Sequence, residues 1–251
     1  SLRPRRHCGR RTDCRRSPLE LGTLRCVRTT SSTSHPSGSA IYAAGMQIRR
    51  ATRADLVQLC VTAVKAFASD PVMRWIFPDD DEYLQHGGEV LRGAMSGWVE
   101  HNEVWCTDDV AALAVWVQPG RPETPESSDP SLAPPSPELL DRLAIIGPLL
   151  AQHAPTQDHW YLQLLATHPD WQRQGLGAAL MASMFERADA EGLPCHLETE
   201  TFVNVGYYRR HGFEVHSEFD IPTGPHEHRF SSFDDDPATE AGPHMWGMLR
   251  L

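Results

Sequence analysis

The sequence predicts a single mixed α/β domain, and three observations carry that prediction. From Met46 onward, stretches with strand character and stretches with helical apolar spacing follow one another in the order β–α–α–β–β–α–β–α–β–α–β–β. Hydrophobic residues make up 40% of the chain, enough for a core and too many for wholesale disorder. At 251 residues the chain has the length of one large domain or two small ones.

Each element has a local reason. Gln47–Ala51 is a short strand with Ile48 inward. Thr52 then precedes a helix with Asp55 in its first turn and Leu56, Leu59, Cys60, Ala63 and Phe67 at helical spacing, ended by Asp70-Pro71. A second helix is expected from about Asp81 to Trp98, with Leu84, Val90, Leu91, Met95 and Trp98 as its apolar set. Glu103–Cys106 and Val110–Val117 form a hairpin about Asp108-Asp109. Residues 119–137 hold seven prolines and read as an irregular, mobile connector. Pro137 starts a helix bearing Leu139, Leu140, Leu143, Ile146 and Leu149. His159–Thr167 is a strand, 175–190 a helix, Cys195–Glu200 a strand, and Val205–Arg210 a short helix ended by Gly212. Phe213–Ile221 and His244–Leu249 close the domain as a strand pair, with the polar segment 224–243 as a surface loop.

Charge and composition narrow the function classes. The net charge of −10 is uneven: residues 1–45 carry +7, leaving −17 for the remainder. That leader is rich in Arg, Ser, Thr and Pro, without a sustained period, and is expected to be disordered. Its best apolar stretch, Leu19–Leu24, is broken by Glu20 and Gly22 and makes no secretory signal. An organelle transit peptide or a nucleic-acid contact is conceivable for it, but a basic, non-native or upstream-read extension is the reading adopted. No stretch approaches the ~20 apolar residues of a membrane span. The six cysteines lack CxxC pairs, which argues against a zinc ribbon or a dense disulfide framework. Among the 13 histidines, His226 and His228 are two apart, yet no third ligand has a recognisable spacing, so no metal is expected. Lys65 is the only lysine, which excludes a phosphate-loop lysine and an SxxK nucleophile pair.

One segment carries chemistry: ATHPDWQRQGLGAALMASMFERA (166–188). A strand ends at Thr167-His168-Pro169, a loop brings Gln172-Arg173-Gln174-Gly175-Leu176-Gly177, and an apolar helix follows. Glycines remove side chains where the backbone approaches a ligand, and the unpaired first amides of a helix suit a diphosphate. The plainer alternative is a glycine pair that only tightens a turn. About thirty residues on stands LETETFVNVGYYRRHGFEV (197–215), where Glu198 and Glu200 alternate with Leu197 and Thr199 and so share one strand face.

QRQGLG in a strand–loop–helix setting resembles the acetyl-CoA diphosphate loop of the GNAT superfamily of N-acetyltransferases, and the 197–215 segment resembles its second signature. The likeness is closest to the puromycin N-acetyltransferase-like branch, through ATRADL (51–56), AVWV (114–117), HPDWQRQGLG (168–177), LET…N…YYRRHGF and Met245-Trp246. It covers essentially 47–251, implying a GNAT domain over 46–251 with a mixed sheet of six to seven strands flanked by helices. The resemblance implies that Leu165, Ala166 and Thr167 offer backbone groups to the pantetheine arm. It implies that Gln172, Arg173, Gln174, Gly175, Leu176, Gly177 and Ala178 cradle the diphosphate, and that Asn204 lies near the pantetheine. Tyr208 matches the tyrosine that protonates the departing thiolate, with Tyr207 as the packing neighbour. Glu198 matches the more regular position for a general base, against a purely solvated or orienting role. Asp70 either lines the acceptor side or is a plain turn residue.

The expected function is direct transfer of an acetyl group from acetyl-CoA to a primary amine, in the cytoplasm. The acceptor class implied is a small molecule such as an amine antibiotic, without nucleic-acid or membrane partners. The alternatives are an acetyltransferase of protein amines and a non-catalytic acyl-CoA sensor. A sensor would keep the 172–178 loop and not need Tyr208.

Overall fold

The computed structural model describes residues 47–121, 123, 136–222 and 241–251. The expectations for 1–45, for most of the connector 119–137 and for nearly all of the 224–243 loop, His226 and His228 among them, fall outside those residues.

Among the described residues, seven strands form one sheet: β1 (Ile48–Arg50), β2 (Glu103–Thr107), β3 (Ala112–Val117), β4 (Trp160–Thr167), β5 (Cys195–Thr199), β6 (Glu214–Pro222) and β7 (Ala241–Arg250). Their spatial order is β1-β2-β3-β4-β5-β7-β6. Every neighbouring pair is antiparallel except β4 and β5, which run parallel. Among the described residues, six helices of more than one turn flank the sheet: α1 (Leu56–Ala66), α2 (Pro71–Ile76), α3 (Gly88–His101), α4 (Pro137–His153), α5 (Leu176–Glu191) and α6 (Phe202–Arg209).

The centre of the sheet is covered on both sides, which explains the unbroken apolar run of β3: all six of its residues are buried. Ala112, Ala114 and Trp116 face α5 and α6, packing with Leu176, Leu180, Met181, Met184 and Val205. Leu113 and Val115 face the other way, against Leu59 and Ala63 of α1 and Leu91, Met95 and Trp98 of α3. A third cluster joins α2 and α4 to β6 and β7 through Trp75, Ile76, Leu139, Ile146, Phe219, Ile221 and Met245.

Several boundaries differ from the sequence reading. Asp70-Pro71 does not merely end a helix; it begins α2. The Asp70 side chain accepts from Met73 N at 2.8 Å and Pro71 takes the first helical position, where its missing N–H costs nothing. The expected helix from Asp81 is broken: one turn at Asp80–Glu82 passes through a π-turn, Tyr83–Gly87, before α3. Leu84, assigned to its apolar face, is 69% exposed in consequence. Leu140 and Leu143 are also exposed, so α4 buries a narrower stripe than expected, led by Leu139 and Ile146.

The feature that positions the site is a bulge in β4. Val115 pairs with Leu164 and Trp116 with Leu162, so Gln163 has no partner on β3 and its buried Oε1 makes no hydrogen bond. An extra residue of this kind bends a strand. The parallel ladder to β5 stops after two pairs, Trp160 with Cys195 and Tyr161 with His196, although β4 runs on to Thr167 and β5 to Thr199. The two strands splay apart toward their carboxyl ends, the place where open α/β sheets receive ligands.

Candidate active site

The loop leaving β4 is tied down at both ends. His168 N donates to Ala111 O at 2.8 Å, and Gln172 Nε2 donates to Thr167 O at 3.2 Å. Thr167, one of the three strand residues singled out for backbone contact, therefore has its carbonyl partly engaged within the chain. Pro169–Trp171 makes one tight helical turn, after which Arg173 and Gly175 both take left-handed backbone conformations, at φ 60° and 85°. Gly175 is the N-cap of α5 and the residue type that adopts this geometry without steric cost. The first intrahelical bond runs from Ala179 N to Gly175 O at 3.0 Å, leaving the amides of Leu176, Gly177 and Ala178 ahead of it. The buried Oε1 of Gln174 has no partner. Left-handed turns, free helix amides and an exposed Arg173 at the rim form a cradle suited to a diphosphate.

Gly177 has a different reason from Gly175. A Cβ there would lie 3.0 Å from the Tyr207 hydroxyl and 3.4 Å from Leu165 Cδ2. The missing side chain thus lets α6 and β4 close on the first turn of α5. Gly177→Ala gains helix propensity of about 1 kcal/mol and pushes the Tyr207 hydroxyl away. The expected outcome is an unfolding temperature close to that of the parent and a CoA dissociation constant raised roughly tenfold, measured by thermal unfolding and titration calorimetry.

Helix α6 brings Asn204, Tyr207 and Tyr208 to one side, since residues three and four apart are neighbours on a helix. Thr201 caps it, its side chain accepting from Asn204 N at 3.3 Å. Tyr207 and Tyr208 meet edge to face at 5.3 Å, and Tyr208 packs on Phe213 at 5.8 Å. Burial pushes the Tyr207 phenol up to about 12. Tyr208 is raised further, by burial first and then by the negative charge of Glu200.

The two glutamates of the β5 segment have separate surroundings. Strand β5 ends at Thr199, and Glu200 lies in the bend beyond it. Glu198 Oε1 is 2.8 Å from His196 Nε2, with both side chains buried. Burial, followed by the charges of Glu198 and Glu123, holds the Tyr161 phenol well above its usual value. His216 Nε2 stands 3.3 Å from His196 Nδ1, and Tyr161 stacks on His196 at 5.6 Å. Glu200 instead meets Asp70 of the α2 cap and neighbours Tyr208. The sequence analysis names neither His196 nor Tyr161; the alternation of His196 with Glu198 is the available signal for a shared face.

A cleft of about 230 Å³ lies at the opposite end of β4, lined by Gln118, Arg121, Glu123, Gln157, His159 and Tyr161, among others. Among the described residues, no group of three or more His, Cys, Asp or Glu is placed to hold a metal, and Cys60, Cys106 and Cys195 are free thiols. No described helix is long and apolar enough to cross a membrane.

The sequence model of the acetyltransferase (GNAT) domain matches residues 143–215. Among solved structures, the chain is similar to a histone acetyltransferase HPA2 and related acetyltransferase from Corynebacterium glutamicum. That likeness has 22% identity and a TM-score of 0.54 over 82% of this chain and 95% of the other. It is also similar to the mosquito arylalkylamine N-acetyltransferase like 5b, at 14% identity and a TM-score of 0.57, over 82% of this chain and all of the other. The chain therefore has the GNAT fold, and the part that matches the acetyltransferase domain contains the splayed strands, the glycine loop and the tyrosine-bearing helix.

Proposed function

We propose that the protein is an N-acetyltransferase that moves an acetyl group from acetyl-CoA to a primary amine, without a covalent enzyme intermediate. The observation that supports this most is the placement of Tyr208: it stands on α6 beside Glu200 at the carboxyl end of β5, where β4 and β5 separate. Acetyl-CoA supplies the activated acetyl thioester. Leu165, Ala166 and Thr167 present the splayed edge of β4 to the pantetheine arm, as a sheet edge takes an added strand. Gln172 to Ala178 hold the diphosphate, Asn204 orients the arm from α6, and Tyr208 gives the leaving sulfur its proton. Glu198, buried beside His196, is the residue that takes the proton of the incoming ammonium group, as the resemblance favours.

The acceptor we favour is a small cationic amine, such as an amine antibiotic, met in the cytoplasm. The charge of −17 on the region after residue 45 attracts cations, and the likeness to the puromycin N-acetyltransferase-like branch points the same way. The test is CoA release with acetyl-CoA and a panel of amines: puromycin, an aminoglycoside, 2-phenylethylamine, spermidine and a lysine-containing peptide, with mass spectrometry of the products. Acetylation of one or more small amines is expected. Modification of the peptide alone would replace this reading with a protein acetyltransferase. CoA binding with no turnover of any amine would replace it with a sensor.

A further inference from the structure

We propose that His196 is a positioning residue that keeps Glu198 ionised: doubly protonated between Glu198 and the Met248 carbonyl, it holds one oxygen of that carboxylate and leaves the other for the ammonium group of the acceptor. The proposal rests on the acetyltransferase reading with Glu198 as base and deepens it, because it assigns the group that makes a buried carboxyl fit to be a base.

The geometry is built from neighbouring strands. On β5, alternation puts His196 and Glu198 on one face, and His196 Nε2 stands 2.8 Å from Glu198 Oε1. From β7, the carbonyl oxygen of Met248 lies 3.1 Å from His196 Nδ1. From β6, His216 Nε2 lies 3.3 Å from the same nitrogen. β7 stands between β5 and β6, so His216 has to reach across a whole strand. Val215 pairs with Met248 and Ser217 with Gly247, which leaves His216 as an extra residue without a partner on β7. A bulge of this kind re-aims a side chain. The residue it passes is Gly247, where a Cβ would lie 3.2 Å from His216 Nε2 and would crowd Ser217 Oγ. Gly247 is also the β7 partner of Glu198. Glycine weakens a strand interior; here the missing side chain keeps the face open for two imidazoles and a carboxyl. Glu198 lies two residues beyond His196, which makes the last ladder pair with β4, and so at the mouth of the splay.

The hydrogens that these contacts need fix the charges. A carbonyl oxygen only accepts, so its contact with His196 Nδ1 puts a hydrogen on that nitrogen. The contact between Nε2 and Glu198 Oε1 needs a second one. An imidazole, near ~6.5, binds a proton more tightly than a glutamate carboxyl, near ~4.3, so this hydrogen belongs to Nε2. His196 is then an imidazolium and Glu198 a carboxylate. Their side chains are 1% and 6% exposed, a depth at which a carboxylate persists only beside a paired charge. Tyr161 of β4 stacks on the His196 ring at 5.6 Å, and an aromatic face at that range attracts a cation.

The other titratable groups around the pair leave that assignment intact. His159, just before β4, and His216 meet the His196 ring edge to face at 5.3 Å and 5.1 Å. Burial lowers both below the usual imidazole value, and the charge of His196 adds to the effect. Both therefore stay neutral, and His216 offers a lone pair to the Nδ1 hydrogen. His153 of α4 lowers His216 further. Glu123 is raised by burial and then by the charge of Glu198. The reaction balances with these charges. The ammonium group gives its first proton to the second oxygen of Glu198 and becomes an amine with a free electron pair. That pair forms the C–N bond to the acetyl carbon, the C–S pair leaves with sulfur, and Tyr208 protonates the sulfur. The second nitrogen proton restores Tyr208, and the proton on Glu198 passes to solvent.

The test compares the parent with His196→Gln, whose amide keeps a donor near Nε2 without the charge, and His196→Leu, which keeps only apolar bulk. The rate is followed as kcat/KM against pH with the panel amine that the parent turns over fastest. A buried carboxyl without its imidazolium takes up a proton at higher pH. The acid limb of His196→Leu should therefore move up by roughly one to two pH units, a loss of about 10–100-fold at acid pH that higher pH restores. His196→Gln should fall between the parent and His196→Leu, and CoA affinity should be the same in all three. A purely structural role would lower the rate without moving the limb. In the parent, nitrogen NMR of the histidine rings, assigned by the signals that His196→Gln removes, should show both ring nitrogens of His196 protonated at neutral pH. His196→Leu with the acid limb of the parent, or a bare ring nitrogen on His196 at neutral pH, overturns the proposal and leaves the acetyltransferase reading standing. Glu198→Gln with the rate of the parent overturns Glu198 as base and the role of His196 with it. A parent that releases no CoA with any amine overturns the acetyltransferase reading itself.

Discussion

Tyr208→Phe is expected to lower kcat by roughly 10²–10⁴-fold with CoA affinity unchanged, measured by CoA release and by titration calorimetry. Removing one hydroxyl from an enclosed ring leaves its contact with Phe213 and the edge-to-face contact with Tyr207 in place. The lost function is therefore proton donation rather than packing. A phenol ordinarily titrates near ~10 and a thiol near ~8.5, and burial plus the Glu200 charge raise Tyr208 above its ordinary value. The raised value keeps the proton in place through the neutral range, so the phenol is always a donor when the thioester arrives. It also makes release harder, but a thiolate leaving into the same enclosed space is itself poorly solvated and more basic. The sign of the pH dependence follows. No loss of activity from ionisation of Tyr208 should occur below the ordinary phenol value, and any fall at neutral or mildly alkaline pH must have another source.

Tyr207→Phe is the matched control. Its hydroxyl lies against the first turn of α5, at the position a Gly177 Cβ would crowd, and not beside Glu200. It should retain most of kcat and show its effect in CoA affinity. A kcat loss in Tyr207→Phe as large as in Tyr208→Phe would exchange the roles of the two tyrosines.

The legible parts of the structure were those with local physical causes. The QRQGLG loop could be placed between a strand and a helix because glycine, a helix start and an apolar face all announce themselves in adjacent residues. The order of the strands after Met46 is legible for the same reason, and so is that of the helices apart from α2, which the expected order lacks. What escaped was tertiary. Asp70-Pro71 signals the end of one helix and the start of another equally well, since the same residues serve as turn and as cap. The π-turn at Tyr83–Gly87 rotates the following helix and exposes Leu84, which no periodicity count reveals. The alternation rule put Glu198 and Glu200 on one face, as it must for a continuous strand. β5 stops at Thr199, so Glu198 joins His196 while Glu200 turns toward Asp70, some 130 residues earlier in the chain. A contact between segments so far apart leaves no mark on either segment alone.

Gly175→Val is expected to raise the CoA dissociation constant by roughly 100-fold, the equivalent of about 2.7 kcal/mol, by titration calorimetry on folded protein. At φ 85° a β-branched side chain is forced into a region it adopts only under strain, at a cost of about 1–3 kcal/mol. The loop can hold its shape and lose stability, or rotate the peptide ahead of α5 and move the amides of Leu176 to Ala178. A small fall in unfolding temperature with a large loss of affinity would mark the second course. Arg173→Gly makes the opposing change. It relieves the left-handed conformation of a non-glycine residue at φ 60° and removes the exposed charge at the rim. If backbone amides hold the diphosphate, Arg173→Gly should weaken CoA less than roughly tenfold, with the difference shrinking as salt screens the exposed charge. The reverse order, with Arg173→Gly the more damaging and strongly salt-dependent, would make the site one of side-chain charge. The amide reading accounts for how a chain with one lysine, placed on α1 outside the glycine loop, holds two phosphates. Positive ends of backbone dipoles, fixed by two left-handed residues and a helix start, stand where a charged side chain would otherwise be needed.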